Sequence, residues 1–209
     1  VCHLAILPTL GEPGLLVMDM DSTAIRIECI DEIARLAGVG DQVAAVTAAA
    51  MQGKLEFADS LRSRVALLEG APVTILDEVA AAMPWMPGLQ LMVDTLKQSG
   101  WTVAIASGGF TRFAGELQQA LGLDAIFANE LAVEGGLLTG KVSGRIVDAA
   151  VKAEVLQQLA RQHEIPVAQT VAVGDGANDL KMMGVAGLRA QKSPWFPLLC
   201  SWMRSCSMS

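Results

Sequence analysis

The chain has 209 residues, of which 52% are hydrophobic and 18% charged, and this balance excludes intrinsic disorder over most of its length. With 15 basic and 22 acidic side chains the net charge is −7, which argues against a nucleic-acid partner but not against a small anion in a locally basic pocket. No apolar run approaches the ~18 residues of a membrane span, so we expect no membrane partner either.

The cysteines and the first residue give two further expectations. Four cysteines that form no metal-binding pattern are typical of a reducing, cytoplasmic compartment; they are Cys2, Cys29, Cys200 and Cys206. The chain begins with Val1 rather than Met and shows no signal-peptide pattern, so we expect a fragment of a longer chain or a processed start.

In chain order, the first predicted element is a short buried strand over residues 14–18, which ends directly before Asp19. Apolar residues at helical spacing then predict four successive helices between residues 29 and 87, without a strand signal among them. We interpret residues 29–87 as a small helical bundle inserted after the first strand.

After residue 87 the predicted strands and helices alternate. Apolar runs predict strands over 101–106, 125–128 and 170–173, helical spacing predicts helices over 89–96, 113–121 and 152–164, and Glu134-Gly135-Gly136 predicts a hairpin. This alternation predicts an α/β fold with a doubly wound parallel sheet and helices on both faces. The expected domains are a core of residues 1–28 and 88–209 and a helical cap of residues 29–87.

Three predicted strands end in polar segments. These are Asp19-Met20-Asp21-Ser22-Thr23, Ser107-Gly108-Gly109 and Gly174-Asp175-Gly176-Ala177-Asn178-Asp179. In open α/β sheets ligands bind beyond the carboxyl ends of the strands, so we expect these segments to meet at one crevice.

Asp19 and Asp21 allow two interpretations. Asp is common in turns and at helix N-termini, where the pair would only stabilise the chain. Alternatively, one carboxylate attacks phosphorus and forms an aspartyl phosphate, while the other protonates the leaving oxygen and later deprotonates water. Two acids beside a phosphate dianion need a cation, and oxygen ligands favour Mg²⁺, to which Asp175 would add a third carboxylate.

The remaining candidates are less specific when each is taken alone. Ser107 and Gly108 belong either to an ordinary strand–helix turn or to a phosphate site at a helix N-terminus. Lys152 is either a surface lysine or a cation that offsets charge on the phosphoryl oxygens. The segment 174–179 is more specific, because two acids and an amide so close together after an apolar strand seldom serve packing alone.

Taken together, these segments resemble the four motifs of the haloacid dehalogenase (HAD) superfamily, which are represented here by 19–23, 107–110, Lys152 and 174–179. The stretches 17–24, 28–34, 60–65 and 104–110 are similar to those of the bacterial phosphoserine phosphatases within it. The resemblance implies a HAD-like fold and a Mg²⁺-dependent phosphomonoesterase that hydrolyses O-phospho-L-serine in the last step of serine biosynthesis. The implied partner is the small-molecule substrate, and a homodimer is an open alternative.

The resemblance also implies catalytic and metal-binding roles. Asp19 would be the nucleophile, and Asp21 would be the general acid/base that also gives its backbone carbonyl to the metal. Asp19 and Asp175 would be carboxylate ligands of Mg²⁺, and Asp179 would support them. Substrate would be held by Ser107, Gly108, Lys152 and Asn178.

For the amino-acid part of the substrate, the resemblance implies Glu28 and Arg64. Glu28 can pair with the ammonium of phosphoserine, and Arg64 can bind its carboxylate with two hydrogen bonds. Without the resemblance, Glu28 is a first-turn helix acid and Arg64 a solvated helix residue. Met51 and Phe57 would lie near the substrate, although by themselves they suggest core. The cap over 29–87 would act as a lid that excludes water.

Both ends of the chain depart from the superfamily pattern. Similar full-length bacterial enzymes carry an extra N-terminal domain, of which residues 1–13 would be a remnant. The segment 188–209 changes composition abruptly where the superfamily has a strand and a terminal helix, so we interpret it as an altered or variable tail that puts both elements in doubt.

Three alternatives remain open. The first is another HAD phosphatase or phosphotransferase that acts on a small phosphate ester. The second is a catalytically impaired fragment, and the third is a signalling receiver domain. A receiver needs neither an acid two residues after its nucleophile nor a helical insert after its first strand.

Overall fold

The computed structural model describes residues 8–191 and has a six-stranded sheet at its centre. Its strands are β1 (Leu15–Met18), β2 (Thr102–Phe110), β3 (Ala125–Glu134), β4 (Leu137–Ser143), β5 (Thr170–Gly174) and β6 (Leu188–Gln191). They lie in the order β4-β3-β2-β1-β5-β6, and every neighbouring pair is parallel except β3 and β4. This confirms the predicted parallel α/β sheet.

Helices cover the sheet and form the insert after β1. In chain order they are α1 (Cys29–Leu36), α2 (Gly40–Met51), α3 (Phe57–Ala66), α4 (Thr74–Ala81), α5 (Leu89–Gln98), α6 (Thr111–Leu121), α7 (Ala149–Gln162) and α8 (Leu180–Val185). Within the described residues none of them is long and apolar enough to cross a membrane.

β1 is buried on both faces, and its alternating side chains enter two different cores. Leu15 and Val17 pack in the smaller core with residues of α7 and α8, whereas Leu16 and Met18 pack in the larger core with residues of α1, α5 and α6. A strand of four buried residues is therefore a continuous apolar run rather than an alternating one, as expected inside a parallel sheet.

The helices α1–α4 leave and rejoin the core through a narrow neck. Backbone hydrogen bonds join the neck, from Arg26 N to Pro84 O (2.9 Å) and from Met86 N to Ala24 O (2.8 Å). A third connection lies at the α3–α4 loop, where Gly70 N donates to Leu138 O of β4 (2.8 Å). The four predicted helices of this region are present, and treating them as a separate cap domain remains a prediction.

Two strands extend further than the sequence pattern suggests. The sequence pattern predicts that the first of these strands ends at residue 106 before a turn over 107–109, but β2 runs through this segment to Phe110. There Phe110 pairs with Asn129 of a longer β3 after an irregularity in the register. The predicted hairpin is confirmed, and both Gly135 and Gly136 adopt the positive φ that its turn requires.

The strand in doubt after Gly187 is present as β6, which pairs with β5 from Val171↔Leu188 onward. The terminal helix of the superfamily pattern, which the altered tail puts in doubt, falls outside the described residues, as do the rest of the tail and residues 1–7.

Candidate active site

The carboxyl ends of three parallel strands meet at one edge of the sheet. Met18, the last residue of β1, is level with Ile105 of β2 and Val173 of β5. The residues that follow these three positions therefore surround a common cavity of about 430 Å³. On the opposite side the cavity is bounded by side chains of the inserted helices, which include Met51, Phe57 and Arg64.

Asp19 is held rigidly at the base of this cavity. Its backbone N–H donates to Val173 O (2.9 Å), and its Oδ1 accepts a hydrogen bond from Met20 N (2.7 Å). Its Oδ2 lies 3.0 Å from Nζ of Lys152. Burial raises the pKa of Asp19 to about 6 even though the ammonium of Lys152 acts in the opposite direction. A buried carboxylate of this kind has one oxygen fixed by the backbone and the other facing a cation.

Lys152 lies in the first turns of α7 and is completely buried. Besides Asp19, its Nζ donates to Asp179 Oδ1 at 2.8 Å. Burial lowers the pKa of Lys152, but the charges of Asp19 and Asp179 outweigh it, so the pKa is raised and the ammonium stays charged. The N-terminus of α7 is fixed by Asp148, whose Oδ1 accepts hydrogen bonds from Ala150 N and Val151 N. A surface lysine is therefore the wrong interpretation of Lys152.

Asp179 organises the loop after β5. Its Oδ2 accepts hydrogen bonds from Asp175 N (3.1 Å) and Gly176 N (3.0 Å). With Lys152 on its other oxygen, the carboxylate of Asp179 already has three donors. The side chain of Asp175 contacts the segment after β1, where Thr23 Oγ1 donates to Asp175 Oδ1 at 3.3 Å.

The three acids Asp19, Asp175 and Asp179 can offer oxygen atoms that all lie within 4.8 Å of one another. A set made only of carboxylate oxygens suits a hard divalent cation, and an unneutralised cluster of this kind is electrostatically costly. The raised pKa of Asp19, to which the charge of Asp179 contributes after burial, is the signature of that cost. The residues therefore fit a divalent metal.

Asp21 lines the same cavity as Asp19. Its Oδ1 is buried and has no hydrogen-bond partner among the described residues. Burial, followed by the charge of Glu28, raises the pKa of Asp21 to about 8. A carboxyl group in this environment holds a proton near neutral pH and can give it to a neighbouring oxygen.

The end of β2 forms a tight wall beside these acids. A Cβ at Gly109 would lie 2.9 Å from Asp21 Oδ2, and a Cβ at Gly108 would lie 2.6 Å from Cζ of Phe57. Neither glycine has a positive φ, so close approach rather than turn geometry explains them. Ser107 is buried, and its Oγ accepts a hydrogen bond from Gly109 N (3.0 Å).

Two asparagines occupy different places around this wall. Asn178 lines the cavity, and its buried Oδ1 has no hydrogen-bond partner among the described residues. Asn129, which we did not predict, is buried behind the wall, where it donates to Gly108 O (2.8 Å) and accepts from Val147 N (2.8 Å). Asn129 directly follows the predicted strand 125–128, so the rule that polar residues after strands line the site could have indicated it.

The structure brings most of the predicted site residues to the cavity wall, which contains Asp19, Asp21, Glu28, Arg64, Ser107, Gly108, Asp175, Asn178 and Asp179. Lys152 is different, because it lies behind Asp19 rather than on the wall. Met51 is 86% exposed, so the core interpretation of this residue is wrong. Thr23 and Asp31 complete the surroundings and were not singled out from the sequence.

The chain is similar to proteins of known family. The family model for haloacid dehalogenase-like hydrolases matches residues 16–184. Over 181 residues the chain is 56% identical to the phosphoserine phosphatase of Vibrio cholerae, an alignment that covers 87% of this chain and 55% of that protein. The chain therefore spans about half the length of this curated relative.

Two solved structures are also similar to the chain. The unliganded probable phosphoserine phosphatase from Vibrio cholerae has a TM-score of 0.85 at 48% identity, covering 97% of this chain and 67% of that chain. A phospho-aspartyl intermediate analogue of phosphoserine phosphatase has a TM-score of 0.80 at 40% identity, covering 91% of this chain and 90% of that chain.

Proposed function

Because the chain belongs to the haloacid dehalogenase-like hydrolases, whose family model spans residues 16–184, we propose that it is a phosphomonoesterase that hydrolyses O-phospho-L-serine to L-serine and phosphate. The observation that carries the proposal is the buried contact between Asp19 and Lys152, with Asp21 on the same cavity wall. This contact keeps one carboxylate charged and directed at a space large enough for a small phosphate ester.

In the proposed first step, a carboxylate oxygen of Asp19 attacks phosphorus while the bond from phosphorus to the serine oxygen breaks. Asp21 gives its proton to the departing serine oxygen. In the second step Asp21 takes a proton from water, the water oxygen attacks phosphorus, and the bond to Asp19 breaks. Phosphate leaves and both carboxyl groups return to their starting states.

We propose that the divalent metal is Mg²⁺ and that Asp19, Asp175 and the backbone carbonyl of Asp21 bind it, with Asp179 in a supporting position. When bound, the ion supplies positive charge that offsets the phosphoryl oxygens and the carboxylates around them. Lys152 adds a fixed positive charge from the protein side, and its two carboxylate contacts hold that charge in place.

Phosphate recognition is proposed for the wall formed by β2 and the loop after β5. Ser107 offers a hydroxyl group and Gly108 a backbone with no side chain in the way, so that a phosphate can approach closely. The buried Oδ1 of Asn178 has no partner of its own among residues 8–191, and the ammonium group of the substrate could satisfy it.

Selection of the amino acid is proposed for Glu28 and Arg64, which line the same cavity on the side of the inserted helices. Burial raises the pKa of Glu28, and an ammonium group bound beside it would stabilise the charged form of its carboxylate. The same helices, residues 29–87, would close the cavity as a lid during phosphoryl transfer.

The experiment that tests the function is phosphate release from a panel of small phosphate esters, with and without EDTA. We expect release that requires Mg²⁺ and that favours phosphoserine over the other esters. Equal rates across the panel would support a less selective phosphatase of the same family instead. Absence of release from a chain with a cooperative melting transition would support an impaired fragment. The cytoplasmic location and the homodimer remain predictions.

A further inference from the structure

The side chain of Asn129 holds the backbone of β2 where that strand leaves the regular sheet. After Ala106 pairs with Phe127, the next pair joins Phe110 to Asn129, so β2 advances by four residues (110 − 106) and β3 by only two (129 − 127). The peptides of β2 between these pairs therefore lose the even ladder of parallel strands. Asn129 compensates for this loss, because its buried Nδ2 donates a hydrogen bond to Gly108 O at 2.8 Å.

The peptide that Asn129 holds also contacts the hydroxyl group of Ser107. In a planar trans peptide the carbonyl and the N–H point in opposite directions, so the N–H of Gly109 points away from Asn129. It donates to Ser107 Oγ at 3.0 Å. A hydroxyl oxygen can accept one hydrogen bond and still donate its own proton. Because Ser107 also lines the cavity, its proton stays available to a group bound there.

The other end of the amide connects this wall to α7. Asn129 Oδ1 accepts a hydrogen bond from Val147 N at 2.8 Å. Val147 directly precedes Asp148, whose carboxylate caps α7, and the buried Lys152 follows in the first turns of that helix. One buried side chain thus joins the two segments that supply Ser107 and Lys152 to the proposed phosphate site.

We propose that Asn129 is a positioning residue for phosphate recognition, which fixes the peptide between Gly108 and Gly109 so that the hydroxyl group of Ser107 stays turned toward the phosphate of the substrate. This inference rests on the proposed function, because it assigns a support to the phosphate site described there. Without the amide, Gly108 O would be a buried acceptor that lacks its donor, and rotation of the peptide to find another donor would break the contact with Ser107. The side chains proposed to select the amino acid lie on the side of the inserted helices, so binding of that part should not depend on Asn129.

The test is Asn129→Asp, which keeps the shape of the side chain and the acceptor for Val147 N but removes the donor to Gly108 O. Calorimetric titration in the presence of Mg²⁺ measures the Kd of inorganic phosphate and the Kd of L-serine separately and needs no turnover. We expect the Kd of phosphate to rise about tenfold, as loss of one buried hydrogen bond allows, and the Kd of L-serine to stay the same. The KM for phosphoserine should rise with the Kd of phosphate.

A double-mutant cycle measures whether Asn129 acts through Ser107. Ser107→Ala removes the hydroxyl group, so adding Asn129→Asp to that variant should weaken phosphate binding by less than about twofold. Asn129→Leu, which is similar in size and uncharged, should show the same selective loss of phosphate binding as Asn129→Asp. Full additivity in the cycle, or a loss confined to the aspartate variant, would indicate that the new carboxylate repels phosphate directly and would overturn the inference.

Gln169→Glu is the matched control. Like Asn129, Gln169 is a buried amide that bonds to backbone at both ends, since it accepts from Thr9 N (2.8 Å) and donates to Thr9 O (3.1 Å). It directly precedes β5, at the end of the strand opposite the cavity. Its replacement should lower the melting temperature and leave both dissociation constants unchanged.

The outcomes separate this inference from the proposed function. Equal losses of phosphate and L-serine binding in Asn129→Asp, or unchanged phosphate binding, would overturn the inference while leaving the phosphatase function intact. A wild-type chain that binds phosphate with the expected dependence on Asn129 but does not hydrolyse phosphoserine would overturn the proposed function alone. A wild-type chain that neither binds phosphate nor hydrolyses phosphoserine would overturn both.

Discussion

Nζ of Lys152 lies 3.0 Å from Oδ2 of Asp19 and 2.8 Å from Oδ1 of Asp179, and no part of the lysine side chain reaches solvent. One buried cation thus serves two buried carboxylates on different strand ends. Because each acid would otherwise be an uncompensated charge in the interior, this contact joins the stability of the core to the reactivity of Asp19.

Replacing this cation should therefore affect both properties. We expect Lys152→Met to lower the free energy of unfolding by about 3 kcal/mol, since it leaves two buried acids without the cation that offsets their charge. It should also abolish phosphate release, because Asp19 would then favour the protonated form. Denaturant unfolding and a phosphate assay check the two effects separately.

Lys97→Met is the matched control, because Lys97 pairs with Asp124 where about a third of each side chain is exposed. That change should cost less than about 1 kcal/mol and leave activity unchanged. An active, undestabilised Lys152→Met variant would contradict the structural role given to the buried pair.

A second prediction concerns the nucleophile itself. Asp19→Asn should abolish phosphate release, since an amide oxygen is a poor nucleophile, while the fold persists because Asn can still accept from Met20 N. Wild-type protein quenched in acid after mixing with substrate should gain the mass of one phosphoryl group, and Asp19→Asn should not. Asp77→Asn, at an exposed pair with Arg112, should behave like the wild type. Retained turnover in Asp19→Asn would exclude the covalent route.

A third prediction follows from the hydrogen bond between Thr23 Oγ1 and Asp175 Oδ1. Removing the hydroxyl in Thr23→Val leaves the carboxylate of Asp175 less well oriented, so about tenfold more Mg²⁺ should be needed for half-maximal activity. The maximal rate at saturating Mg²⁺ should change little. Thr139→Val removes a hydroxyl that bonds to Ala132 O in the β3–β4 hairpin, and it should leave the Mg²⁺ requirement unchanged.

The sequence predicts the sheet and the acids well, because both depend on local signals. Continuous apolar runs identify strands that are buried on both faces, and each run here is followed by polar residues that the parallel register brings together. The sequence therefore predicts that Asp19 and Asp175 are neighbours, although they are 156 positions apart in the chain (175 − 19).

Contacts that depend on packing between distant segments are not foreseeable in this way. The sequence shows Lys152 only as one lysine among others, since its burial follows from how α7 lies against β1 and the loop after β5. Asn129 is similar, because its role depends on reaching both Gly108 O and Val147 N. The sequence pattern also predicts a β2 that is too short. Glycine has a low strand propensity, so the extension of β2 through 107–109 depends on its pairing with β3.

The last prediction concerns Gly109, whose backbone lies directly against the proton donor. A Cβ at this position would lie 2.6 Å from Met20 Cε and 2.9 Å from Asp21 Oδ2. Gly109→Ala should push the carboxyl group of Asp21 out of place and lower kcat by about 10²-fold, with a loss of stability of roughly 1–3 kcal/mol from overpacking.

Gly115→Ala is the control for this change, because Gly115 lies within α6 and a Cβ there would meet no atom within 4 Å. It should stabilise the protein by about 0.5–1 kcal/mol, since alanine favours the helix over glycine, and it should leave kcat unaltered. Thermal unfolding and steady-state kinetics on both variants distinguish the effect of replacing a glycine from the effect of displacing the Asp21 carboxyl group. If Gly109→Ala kept the wild-type kcat, Asp21 would tolerate displacement, and its assignment as the proton donor would have to be abandoned.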